Sequence, residues 1–144
     1  MRINLITFGK IKDKNIIELI NYYQRLTSKY SKIKLISIKE SNTKTSKTEL
    51  EQLATKYKNL VILTEHGKEY ATEGFAKFLQ NQEPQNGEIS FLVGNAFGFE
   101  KAAIEKAQTL SLGKMTFPHE LTVVILLEQL FRTMNFNRGG KYHK

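Results

Sequence analysis

The chain has 144 residues and no cysteine, so it is long enough for one domain with a real core but excludes disulfides, thiolate-held zinc, iron–sulfur clusters and thiol nucleophiles. Its 22 Lys+Arg against 14 Asp+Glu leave a net charge of +8. That balance suits a polyanionic partner, and it equally suits a lysine-rich composition drawn from an AT-rich genome.

Hydrophobic periodicity alternates between strand and helix along the chain. Residues 2–8 alternate like a strand that ends at Gly9. Residues 14–30 place Ile16, Leu19, Ile20, Tyr23, Leu26 and Tyr30 at three- and four-residue steps, the pattern of an amphipathic helix. A strand at 34–38 leads into the polar stretch 40–47, which without glycine or proline reads as a mobile loop. A helix at 48–57 precedes the apolar strand Leu60–Leu63, expected to be buried and parallel. A third helix at 72–81 ends in the turn 84–87, and a buried strand at 89–93 precedes a helix at 100–108. A short strand at 110–112 leads into a long helix from Pro118 to Met134. Strands separated by helices predict an α/β protein: one domain, residues 1–144, with a parallel sheet flanked by helices. No apolar run approaches the ~20 residues of a bilayer span, and residues 1–2 lead into a strand rather than a signal peptide. A cytoplasmic protein without a membrane partner is expected.

Four segments carry chemistry. Two glycine-containing turns, 64–67 and 94–98, follow apolar strands, where parallel sheets bind ligands. For Gly94 to Gly98 the alternative is a tight turn that needs positive φ, and neither a dinucleotide nor a P-loop fingerprint is present. The run 111–121 pauses at Gly113, where exposed backbone groups can meet an adenine edge; it also reads as a helix start with Thr116 as N-cap. Residues 121–127 are apolar except Thr122, so the long helix is expected to be buried on two sides, with a second copy of the chain covering one of them. The tail 137–144 reads either as a frayed basic end or as a source of stacking and proton-transfer groups in Tyr142 and His143. The chain has a single aspartate, Asp13, no carboxylate pair for hydrolysis, and no nucleophile elbow. His66, His119 and His143 lack metal-ligand spacing, so no metal is expected.

Together these segments resemble the ribosomal large-subunit pseudouridine methyltransferases of the SPOUT class, small proteins with a deep C-terminal trefoil knot. The resemblance runs from the first strand to the last residue. It rests on Leu63 to Gly67, on Phe91-Leu92-Val93-Gly94 with Gly98, and on Ser111-Leu112 through Met115-Thr116. It rests also on Pro118-His119, on Leu127-Glu128-Gln129-Leu130-Phe131-Arg132, and on Tyr142-His143-Lys144. It implies a homodimer that uses S-adenosylmethionine to methylate N3 of a pseudouridine (pseudouridine-1915) in 23S ribosomal RNA of the ribosome. It implies cofactor contacts at Leu63, Gly94, Leu112, Gly113, Lys114, Met115, Thr116 and Phe117. His119, Arg132, Tyr142 and His143 are then the groups expected near the acceptor, with Arg132, Arg138, Lys141 and Lys144 against phosphates. The rival readings are a non-catalytic RNA-binding module and a small-molecule methyltransferase, the second disfavoured by the basic charge and short chain.

Two positions depart from the family pattern. Asn95 stands where the family often has a second glycine, and is expected to take left-handed geometry in its place. Val123 stands where the pattern Pro-His-x-Leu-x-Arg has arginine, with Arg132 and Arg138 as the cations left to compensate.

Overall fold

The computed structural model describes residues 1–82 and 87–144. Five strands and five helices follow in the order β1 (Arg2–Phe8), α1 (Lys14–Thr27), β2 (Lys32–Ile38), α2 (Lys47–Lys56), β3 (Leu60–Leu63), α3 (Thr72–Gln82), β4 (Glu88–Val93), α4 (Lys101–Ile104), β5 (Gln108–Leu110) and α5 (His119–Asn137). The strands form one parallel sheet in the order β2-β1-β4-β3-β5. The turn expected at 84–87 falls outside the described residues except for Gly87. The α/β architecture with a parallel sheet flanked by helices is as the periodicity predicts.

The helix starts follow from local chemistry. Asp13 caps α1, its Oδ1 accepting from the N–H groups of Asn15 (2.8 Å) and Ile16 (3.1 Å). Ser46 and Glu49 close a reciprocal capping box at α2. At α5 the cap is Pro118, which makes no side-chain capping bond, so Thr116 is not the N-cap that the sequence suggests. Proline fixes the entry φ at −54° and leaves Thr116 two residues upstream, in the connection rather than the helix.

Strand alternation sorts the core onto two faces. Ile3, Leu5, Val61, Leu63, Ile89, Phe91 and Val93 meet Ile20, Phe75, Leu79, Leu126, Leu127 and Leu130 from α1, α3 and α5. Ile6, Ile62 and Leu92 point the other way, toward Leu50, Tyr57 and Ala103 of the α2 and α4 side. Strands β3 and β4 are neighbours, yet their following helices leave to opposite faces. That divergence opens a crevice at their carboxyl ends.

The chain crosses itself closely there. Thr64 N–H donates to the Leu110 carbonyl (3.0 Å), and Ser111 N–H donates to the Lys68 carbonyl (2.9 Å). Gly67 is pressed so tightly on β5 that an added Cβ would lie 2.7 Å from the Leu110 carbonyl carbon. After β5, α5 returns across the sheet to pack on α1 and α3.

Candidate active site

The crevice is a cleft of about 620 Å³ walled by three connections. Leu63 to His66 follow β3, Val93 to Phe99 follow β4, and Leu112 to His119 follow β5, with Lys114 the one residue of that run outside the lining. Of the residues expected to hold a cofactor, Leu63, Gly94, Leu112, Gly113, Met115, Thr116 and Phe117 thus share one cavity, and the exposed Lys114 points elsewhere. His119, first residue of α5, stands at its edge.

Gly94 is small because Phe99 needs the space: an added Cβ would lie 2.7 Å from the Phe99 ring. The left-handed residue of this turn is Gly98 (φ +76°), not Asn95. Asn95 replaces glycine by a different device, its Oδ1 accepting from Phe97 N–H (2.9 Å) and Gly98 N–H (3.0 Å) in an Asx turn. Its Nδ2 also donates to the Thr43 carbonyl (2.9 Å). The polar stretch read as a mobile loop is therefore pinned at Asn95 and again by a bridge between Thr45 and Phe99. This brings Lys44 into the cleft wall, a position no local sequence signal marks.

In the third wall, Ser111 Oγ donates to the Gly113 carbonyl (2.9 Å) and accepts the Gly113 N–H (3.1 Å), holding the pause at Gly113. Among the described residues, none accepts a hydrogen bond from the backbone N–H groups of residues 114–117. Phe97 and Met115 are exposed apolar side chains at the mouth.

Arg132, Tyr142 and His143 lie elsewhere. Arg132 bonds Glu128 through Nε (3.0 Å) and Nη2, and its guanidinium sits 4.7 Å from the Tyr142 ring centre. The Tyr142 hydroxyl donates to Glu128 (3.2 Å), and its ring meets Phe131 edge-on. Burial, and then the Glu128 charge, pushes both Tyr142 and Tyr23 above the usual phenol range. Its hydrogen bond to Glu128 raises Arg132 further. His143 faces Glu73 (3.5 Å), whose carboxyl is held low first by its own backbone N–H and then by His143. From residue 119 to 132 the helix rises about 20 Å at ~1.5 Å per residue, so one chain does not bring His119 and Arg132 together.

Val123 is fully buried in the sheet-facing core. Val123 thus supplies packing, at a place where an unpaired charge would be costly. Arg138 brings no cation there, lying instead over the Tyr30 ring at 5.4 Å.

A family profile described as "Predicted SPOUT methyltransferase" matches residues 1–143. The chain belongs to the SPOUT methyltransferase family. It is 33% identical over 159 residues to the ribosomal RNA large subunit methyltransferase H of Latilactobacillus sakei subsp. sakei (strain 23K), with all of both chains covered. The protein of that name from Acetivibrio thermocellus gives the same identity over the same span, again covering both chains entirely. Among solved structures, TrmJ from Z. mobilis ZM4 aligns with 92% of this chain and 69% of its own at TM-score 0.47 and 9% identity.

The family match accounts for the fold, a parallel α/β sheet flanked by helices whose connections cross where residues 64–68 meet Leu110 and Ser111. This SPOUT chain is a methyltransferase, a class that requires a methyl donor. Among the described residues, no group of three or more metal-ligating side chains occurs, and no helix is long and apolar enough to cross a membrane.

Proposed function

We propose that this chain, acting as one domain, transfers a methyl group from S-adenosylmethionine to N3 of a pseudouridine in 23S ribosomal RNA. The observation that carries this reading is the cleft. Its volume lies within the ~300–1,000 Å³ of small-molecule sites, and its walls combine apolar side chains with polar ones such as Thr64, His66, Asn95 and Thr116. The unpaired N–H groups of residues 114–117 suit the acceptors of an adenine edge. Leu63, Leu112 and Phe117 offer apolar surface to the same ligand. The cofactor supplies an electrophilic methyl when bound.

The protein's share is positioning and proton handling. The guanidinium of Arg132 suits negative charge left on the base once its N3 proton has gone. Tyr142, held neutral by its raised pKa, suits hydrogen-bond donation rather than proton abstraction. His119 and His143 are the imidazoles available to take the proton. The ribosomal RNA substrate is supported by the names of both relatives and by the net charge of +8.

Because Arg132, Tyr142 and His143 stand away from the cleft of their own chain, the reading includes a homodimer in which the partner's tail completes the site. Its contact would use Leu121 of α5 with Leu19 and Tyr22 of α1, large apolar side chains that are exposed here. Action on ribosomal RNA suits a cytoplasmic enzyme. Methyl incorporation into ribosomes that lack the modification, followed by mapping of the methylated atom, tests the reaction. Donor binding without incorporation into any ribosomal RNA substrate sinks it. A clean monomer in sedimentation at micromolar concentration sinks the dimer.

A further inference from the structure

Asn135 belongs to none of the segments that suggested the function, yet it bonds the tail at Gly140 and Tyr142 and is itself anchored by Tyr30. Its carbonyl accepts the N–H of Gly140 (2.8 Å) as the chain reverses after Gly139, a left-handed residue at φ +70°. Its side-chain Oδ1 accepts the N–H of Tyr142 (3.1 Å). Its Nδ2 donates to the hydroxyl of Tyr30 (2.9 Å), which anchors the amide to the connection between α1 and β2.

The fit is close enough to dictate its neighbour. A Cβ on Gly140 would lie 2.2–2.3 Å from Oδ1, Cγ and Nδ2 of Asn135, so the amide fills the hollow of the reversal. Glu128, Arg132 and Asn135 follow one another at four- and three-residue steps, and so share a face of α5. The first two grip the Tyr142 side chain and the third grips its backbone.

We propose that Asn135 is a positioning residue for methyl transfer, fixing the reversal that presents Tyr142 and His143. The proposal rests on the functional reading above, in which the tail serves the acceptor. The chemistry needs an acceptor facing the Tyr142 N–H and any polar oxygen or N–H facing the Tyr30 hydroxyl, which can donate or accept. Aspartate meets both conditions. Leucine keeps the approximate shape and meets neither.

The test is single-turnover methylation of ribosomes lacking the modification, at saturating S-adenosylmethionine, read together with hydrogen exchange at the Tyr142 amide. Asn135→Leu is expected to slow the reaction at least tenfold, leave donor affinity unchanged, and expose the Tyr142 amide. Asn135→Asp is expected to restore both rate and protection. Gly140→Ala, which pushes on the same amide from the other side, is expected to reproduce the loss if Asn135→Leu does not fold. A wild-type rate in Asn135→Leu overturns the proposal, as does retained Tyr142 protection or a failure of aspartate to rescue. A wild-type enzyme that methylates no ribosomal RNA overturns the functional reading and this proposal together.

Discussion

The cleft at the strand ends is walled largely by backbone and apolar groups, while the cluster on α5 is assembled from side chains that carry charge or a hydroxyl. The cleft walls are tied to the sheet through hydrogen bonds such as Thr64 to Leu110, and through contacts as close as Gly67 on β5. The tail has few such ties. Exposed Tyr142 is held by one backbone bond, one hydroxyl bond, a stacked guanidinium and an edge-on contact with Phe131. Elements with few buried contacts open first, so the cleft should be the rigid partner and the tail the adjustable one.

Removing residues 138–144 should separate the two most sharply. Single-turnover methylation should fall by about 10²–10⁴-fold, the usual worth of positioned acid–base groups, while calorimetry finds donor affinity within a few-fold of wild type. Loss of donor binding in that variant would break the division. Gly94→Ala attacks from the other side. Forcing a methyl against Phe99 should cost about 1–3 kcal/mol of fit, or roughly 5–150-fold in donor affinity, with hydrogen exchange in the tail unchanged.

Charge gives a finer distinction. Replacing Arg138, Lys141 and Lys144 by alanine should lower the slope of log affinity for single-stranded RNA against log salt by about 2, at roughly 0.7 per phosphate contact. An unchanged slope would place the phosphates elsewhere. The Tyr142 phenol provides a pH test. Its folded pKa is raised, so the stabilisation of its neutral form is present below the unfolded value and fades as pH rises through the folded one. Glu128→Gln should move the phenolate absorbance midpoint downward but leave it elevated, because burial contributes most. The smallest effect is expected at Glu73. His143→Ala should let its lowered pKa rise only in part, since its own backbone N–H is the larger cause. Any stability it gives is present above the unfolded value and lost as pH falls through the folded one, which a carboxyl carbon titration by NMR would follow.

Much of the fold was legible because the buried strands advertise themselves. Leu60–Leu63 is continuous apolar sequence, and its observed limits match that run. Edge strand β5 is less visible: Gln108 and Thr109 carry no hydrophobic pattern, so the strand lies two residues earlier than 110–112 suggests. Helix α4 shortens to Lys101–Ile104 because the chain must turn at once to enter that edge. In the site, the glycine turns are visible because they follow apolar strands, whereas the Leu112 to Phe117 run reads locally as a helix start and only the family resemblance singles it out. Neither signal marks Lys44 or Asn135, since each acquires its place only through a partner distant in sequence, Asn95 for one and Tyr30 for the other.

The crossing at Gly67 and Leu110 also constrains the order of events during synthesis. Chains emerge amino-terminal part first, and a domain folds as a unit. Here Leu63 to His66 and Val93 to Phe99 exist long before residues 112–119, yet they cannot close a cleft without them. That third wall takes its place only as the chain's final third is laid across the completed β3 and the connection after it. Until those residues are in place the cleft lacks a wall, so whatever it holds can be held only once the chain's final third has been made.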